Sequence, residues 1–208
     1  MKRFLAFVFL AAMVFAAGPQ VVFTKSFPGS SPAYVHITVE RTGATTYKET
    51  PDDDPETFQI EAASAEAIFD LAEKLGHFKT PLESGLKVAK MGDKTFRWES
   101  GAESSEVKYN YSVDDSAKLL QDWFERISES ERSIITLRRA IRYDKLGVND
   151  AVIRIDSMWA QKRFVGTAQL LPLLDRVAAN DTLLHMARER CAELATAIRA
   201  QTKGNPAP

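Results

Sequence analysis

Residues able to do chemistry are sparse in this chain, and their spacing limits what it does. The three histidines are His36 in an alternating run, His77 behind a helix stop and His185 near the C-terminus. None belongs to a His-Glu-x-x-His motif, which sets two imidazoles one turn apart on a helix to hold zinc. Ser30, Ser31 and Ser84 lack the Gly-x-Ser-x-Gly context that lifts a nucleophile onto a sharp strand-to-helix turn. A hydrolase stays open only as a site assembled in space. Asp52-Asp53-Asp54 offers hard oxygen ligands, but a calcium loop spaces its acids as Asp-x-Asp-x-Asp-Gly, so the run reads as a solvated acidic turn. The single cysteine, Cys191, falls on an apolar helical stripe and has no intramolecular disulfide partner. It reads as a small buried residue, with intermolecular pairing as the alternative. No metal and no cofactor is expected.

What is left for function is a surface. His36, Thr38, Arg97, Glu99, Lys108 and Asn110 have matching parity in three alternating runs, so they project from one face of a sheet. Arg97 lies between Phe96 and Trp98, whose burial would fix the guanidinium well enough to clamp a carboxylate. His36, Arg97, Glu99 and Lys108 are therefore the candidate binding residues, for a small ligand or an envelope protein. The plain alternative is a polar face in contact with water alone.

These positions need strands to hold them and helices to cover the other side. Val35, Ile37 and Val39 alternate with Tyr34, His36, Thr38 and Glu40, the period of a half-buried strand. Pro28-Gly29 and Pro32 turn the chain into it from a short first strand, Val21 to Thr24. Gly43 permits a hairpin return through Thr45 to Glu49, and Phe58 and Ile60 mark another strand beyond the acidic loop. A helix capped at Ser64 follows, with Ile68, Leu71, Ala72 and Leu75 on one stripe and Gly76 as its stop. Leu86 to Ala89 is a weak strand. Thr95 to Glu99 and Val107 to Tyr111 form a second hairpin, with Phe96, Trp98, Val107, Tyr109 and Tyr111 on its covered face. Asp114 or Asp115 then caps a helix through Ala117, Leu120, Phe124 and Ile127. This order predicts an α+β fold over residues 19–129, an antiparallel sheet with helices on one face.

Over residues 130–202 strand signals vanish and helical spacing takes over, which predicts an all-helical C-terminal part. One stripe is Ile134, Leu137, Ala140 and Ile141 with Gly147 near its end, and the next is Val148, Val152 and Ile155. Gly166 and Pro172 break the following stretch, and a last helix starting near Asn180 or Asp181 carries Leu184, Ala187, Cys191, Leu194 and Ile198. Residues 203–208 read as a disordered tail. Ser128-Glu129-Ser130-Glu131, between the halves, contains neither glycine nor proline, which predicts a rigid joint and one compact unit.

Residues 1–18 have the layout of a secretory signal: Lys2-Arg3, an apolar run from Phe4 to Phe15, then Ala16-Ala17-Gly18. The run is short for a membrane span and is followed by no cysteine for lipidation, so the mature chain is expected in the periplasm or outside the cell, off the membrane. The whole chain has 27 basic and 28 acidic residues, a formal charge of −1, which gives no electrostatic footing for nucleic acid.

Phe27, Gly29, Pro32 and Tyr34 with the hairpin behind them resemble a family of secreted bacterial domains whose mark is a Cys-Phe-Gly-x-Cys-Pro-x-Tyr turn ahead of an alternating strand. Here Pro28 is inserted, and Ser26 and Ser31 stand where that family has its cysteines, so the turn disulfide is lost. The resemblance extends loosely to about Ile127 and implies a fold and export rather than an activity. Together these readings give an exported, non-catalytic binding or interaction protein of the cell envelope, with an exported hydrolase as the alternative.

Overall fold

Period-two alternation from Tyr34 to Glu40 buries Val35, Ile37 and Val39 and leaves the residues between them facing the other way, so one strand has one covered face. The computed structural model to which it belongs describes residues 18–204. Apart from Gly18, the expected leader lies outside the described residues, as do Asn205 to Pro208 of the expected tail. Six strands form an antiparallel sheet: β1 (Gln20–Ser26), β2 (Tyr34–Glu40), β3 (Ala44–Lys48), β4 (Glu56–Gln59), β5 (Asp93–Ser100) and β6 (Glu103–Tyr109), in the order β4-β3-β2-β1-β5-β6. The fold is α+β, as its strand and helix periods predict, and the short first strand proves to be seven residues long and central. Gly43, at φ +86°, makes the β2–β3 turn, and a Cβ there would meet Ile60 O at 2.8 Å, so only glycine fits.

Register sets Val21, Phe23, Ile37, Tyr47, Phe96, Trp98, Val107 and Tyr109 on the covered face. Phe96 is its centre, with ring centroids of Phe23 at 5.5 Å, Phe78 at 5.3 Å, Tyr109 at 5.3 Å and Phe124 at 6.0 Å. Truncating such a ring to alanine costs about 3–5 kcal/mol. Two helices supply the cover, α1 (Ala62–Lys74) through Ile68, Phe69 and Ala72, and α2 (Asp115–Tyr143) through Ala117, Leu120, Phe124 and Ile127. Asp114 caps α2, its Oδ1 accepting from Ala117 N at 2.9 Å.

α2 does not stop after Ile127. Its 29 residues run through the boundary at 129/130, and its second half buries Ile134, Leu137 and Ala140 against α3 (Gly147–Ala160), α4 (Thr167–Ala178) and α5 (His185–Gly204). One helix thus belongs to two cores.

Several local expectations give way to tertiary context. α1 starts at Ala62 with Glu61 as its N-cap, three residues before Ser64. Residues 81–92 contain no strand at Leu86 to Ala89; Val88 N donates to Leu86 O at 3.0 Å, and Asn110 ties down the end of the segment, its Oδ1 accepting from Met91 N at 2.6 Å and its Nδ2 donating to Ala89 O at 3.1 Å. β6 ends at Tyr109, which leaves Tyr111 off the covered face. Gly147 opens α3 rather than ending the helix before it. Gly166 does mark a break, as the left-handed N-cap of α4 at φ +77° packed against Phe58, but Pro172 lies within α4, where burial of Leu170 and Leu174 holds the turn that the missing N–H would loosen. Asn180 accepts from Thr182 N at 3.1 Å in a turn, so α5 begins only at His185, and it continues to Gly204, past the expected start of the tail.

Candidate functional site

The uncovered face of the sheet collects all four candidate binding residues. Register aligns Lys48, His36, Thr24, Thr95 and Lys108 in one cross-strand row, and Thr46, Thr38, Val22, Arg97 and Glu106 in the next. His36 is held between two threonines, with Thr24 Oγ1 3.2 Å from Nδ1 and Thr38 Oγ1 3.5 Å from Nε2. Its partial burial, then the charges of Arg97 and Lys48, lower its pKa below 6.5, against a smaller opposing effect of Glu99. Arg97 Nε lies 2.9 Å from Glu99 Oε1, an ion-pair contact without the alignment of a hydrogen bond, and Glu99 also accepts from Gln20. Lys108 Nζ sits 3.2 Å from Glu106 Oε1. Asn110 is not on this face, since it ties down residues 89–91. The expected carboxylate clamp at Arg97 is therefore already engaged by its own neighbour, Lys108 is paired with Glu106, and Lys48 donates to Pro51 O at 3.3 Å.

Other groups with chemical potential are also engaged. The His77 ring stacks on Trp98 with centroids 4.1 Å apart, and its carbonyl accepts from Ser105. His185 pairs with Glu189 at 3.0 Å on the exposed side of α5. Lys94 is buried, its amine donating to Asn110 O at 2.7 Å and Met91 O at 3.4 Å, and burial lowers its pKa. Cys191 is buried and free, its thiol pushed up to about 12 by burial. Among the described residues no three His, Cys, Asp or Glu side chains converge as a metal cage would require.

Sequence reading found the helical stripe in the second half of α2 but not the clefts and cations that this half carries. Between α2 and α4, beside β4, runs a groove of about 430 Å³ whose walls include Ile135, Ile141 and Leu173 and whose rim carries Arg138, Arg139, Arg142 and Arg176. On the other flank, between α2 and α3, a wider cleft of about 770 Å³ adds Arg154 and shares Arg139 and Tyr143 with the first. Arg138 is neutralised by Glu56 at 2.9 Å and lies 3.9 Å from Glu131. Arg139, Arg142, Arg154, Arg176 and the neighbouring Lys145 have no carboxylate within ion-pair distance among the described residues. Of the nearby acids, Asp144 turns its Oδ1 to accept from Gly147 N at 3.0 Å, and Asp150 sits in the first turn of α3. A cation in the last turn of a helix complements its dipole, which accounts for Arg142 in α2 and Arg176 in α4 but not for Arg139 or Arg154. Arg138-Arg139-x-x-Arg142-x-x-Lys145 was a visible signal for half of this cluster, while only packing brings in α3 and α4.

The chain matches no protein-family model and no curated protein. Its site must therefore be read from its own geometry.

Proposed function

We propose that this is an exported, non-catalytic binding protein of the bacterial cell envelope, periplasmic or secreted, which holds an anionic partner against the arginine-bearing second half of α2. The observation that carries this reading is four arginines without a carboxylate partner, Arg139, Arg142, Arg154 and Arg176, lining two adjoining clefts, with Lys145 next to them in the chain, in a protein whose overall formal charge is −1. A local positive field on a body without net positive charge attracts anions to that place. The leader-like residues 1–18 support export. The non-catalytic part is supported by His36, whose two nitrogens face threonine hydroxyls with no carboxylate to orient the ring.

Titration with soluble polyglutamate tests the reading. Binding should weaken steeply as salt rises, and Arg139→Glu with Arg142→Glu should reduce it by more than tenfold, since two charges reverse. Equal binding by wild type and the double variant would place the anion site elsewhere, and no binding at all at low salt would refute the proposal.

A further inference from the structure

The corner where α2 gives way to α3 projects apolar groups among its cations. Tyr143 is 77% exposed and Leu146 is 74% exposed, the two most exposed large apolar side chains of the described residues. Arg139 and Arg142 precede them, Lys145 lies between them, and Arg154 lines the cleft that Tyr143 also lines. Their exposure leaves them little covered by the protein's own neighbours. Leu86, Val88 and Met91 are also exposed, but of the cations beside them Lys94 is buried and Lys90 is paired with Asp93 at 3.1 Å, which leaves Lys87.

Resting on the proposal that this surface holds an anion, we infer that its partner is a bilayer surface rich in anionic headgroups, on which the α2–α3 corner docks with Tyr143 and Leu146 entering the interface. A protein partner of an exposed corner must supply a matching cavity, whereas a bilayer deforms around one. Tyrosine suits the headgroup level because its ring is apolar and its hydroxyl polar, and arginine and lysine stems lie along apolar surface while their heads reach phosphates. No helix of the described residues is long and apolar enough to cross a membrane, so the association is peripheral. It departs from the expectation that the mature chain stays off the membrane.

The test uses the chain from Gly18, which carries the complete sheet and both cores and excludes the apolar leader, since that leader would itself bind lipid. Sedimentation with vesicles of phosphatidylglycerol and phosphatidylcholine is compared with pure phosphatidylcholine vesicles and with soluble polyglutamate. Wild type should bind the anionic vesicles and not the neutral ones. Leu146→Ser, at a residue that lines neither cleft, should weaken vesicle binding about threefold and leave polyglutamate binding unchanged, and adding Tyr143→Ser should bring the loss of vesicle binding to about tenfold. Neutralising Arg139 or Arg142 should weaken both about fivefold per cation. All four side chains are exposed, so circular dichroism should show every variant folded. Polyglutamate binding without vesicle binding overturns the bilayer and points to an acidic protein, leaving the anion reading intact. Vesicle binding indifferent to Tyr143 and Leu146 overturns the docking corner, and binding to neither probe overturns both proposals.

Discussion

Glu131 shows how much one side chain depends on partners far away in sequence. It is 0% exposed on α2, with Oε2 accepting from Gln169 Nε2 of α4 at 2.8 Å and Oε1 without a hydrogen bond. Burial raises its pKa, and the Gln169 bond and Arg138 only partly oppose that. The native protein thus binds this proton more tightly than the unfolded chain, whose value is near 4.5. The stability this adds is complete below that value and is lost as pH rises through the native one. Glu131→Gln keeps the shape and removes the titration. In urea the variant should match wild type at about pH 4 and exceed it by about 1–2 kcal/mol at about pH 8, because an imperfectly compensated buried charge is then gone. A stability difference that does not change with pH would refute this account. The sequence shows Glu131 only as one more acid at a helical joint, since nothing local reveals that α4 covers it.

Glu61 belongs to the scale of elements. It precedes α1, yet its carboxylate accepts from Gly166 N at 3.0 Å, Thr167 N at 2.8 Å and Thr167 Oγ1 at 2.8 Å, so it caps α4 from across the molecule. Helix starts leave amides unpaired, and a local Ser, Thr, Asp or Asn usually serves them. Gly166, at the N-cap of α4, has no side chain to do so. Glu61→Ala should cost about 1 kcal/mol or somewhat more in urea unfolding, with faster hydrogen exchange at Gly166 and Thr167. Glu61→Gln, which retains an acceptor oxygen, should lose less. Unchanged exchange at those two amides would show that the cap contributes nothing. The helix stripes were legible because their period is intrinsic to the chain, and so was the Asp114 cap of α2, but two starts were not: α1 begins at Ala62, ahead of Ser64, and α5 at His185, beyond Asn180.

At the scale of the whole molecule, α2 joins the two cores, and further ties cross beside it. Arg126 Nη2 donates to Lys162 O at 2.7 Å, Arg163 pairs with Asp122 at 3.0 Å, and Val165 N donates to Ser130 Oγ at 3.0 Å. Unfolding one half would strip these groups of their partners, so the halves should melt together. Variants that retain only Trp98, in the first core, or only Trp159, packed on the second, should report the same urea midpoint and slope. Two separate midpoints would mean two independent units. The α+β class, the hairpins, the covered face around Phe96 and the parity that puts His36, Arg97, Glu99 and Lys108 on one side were legible along the chain, since each follows from a period of two or 3.6 in a continuous segment. The sequence also showed the joint at Ser128 to Glu131 to be free of helix breakers. Long-range packing is what puts β1 in the middle of the sheet, engages Arg97 with Glu99 and gathers Arg139, Arg142, Arg154 and Arg176 around two adjoining clefts. Those outcomes depend on which distant segments pack together, and whether a charge is paired or free is settled by that packing rather than by its neighbours in the chain.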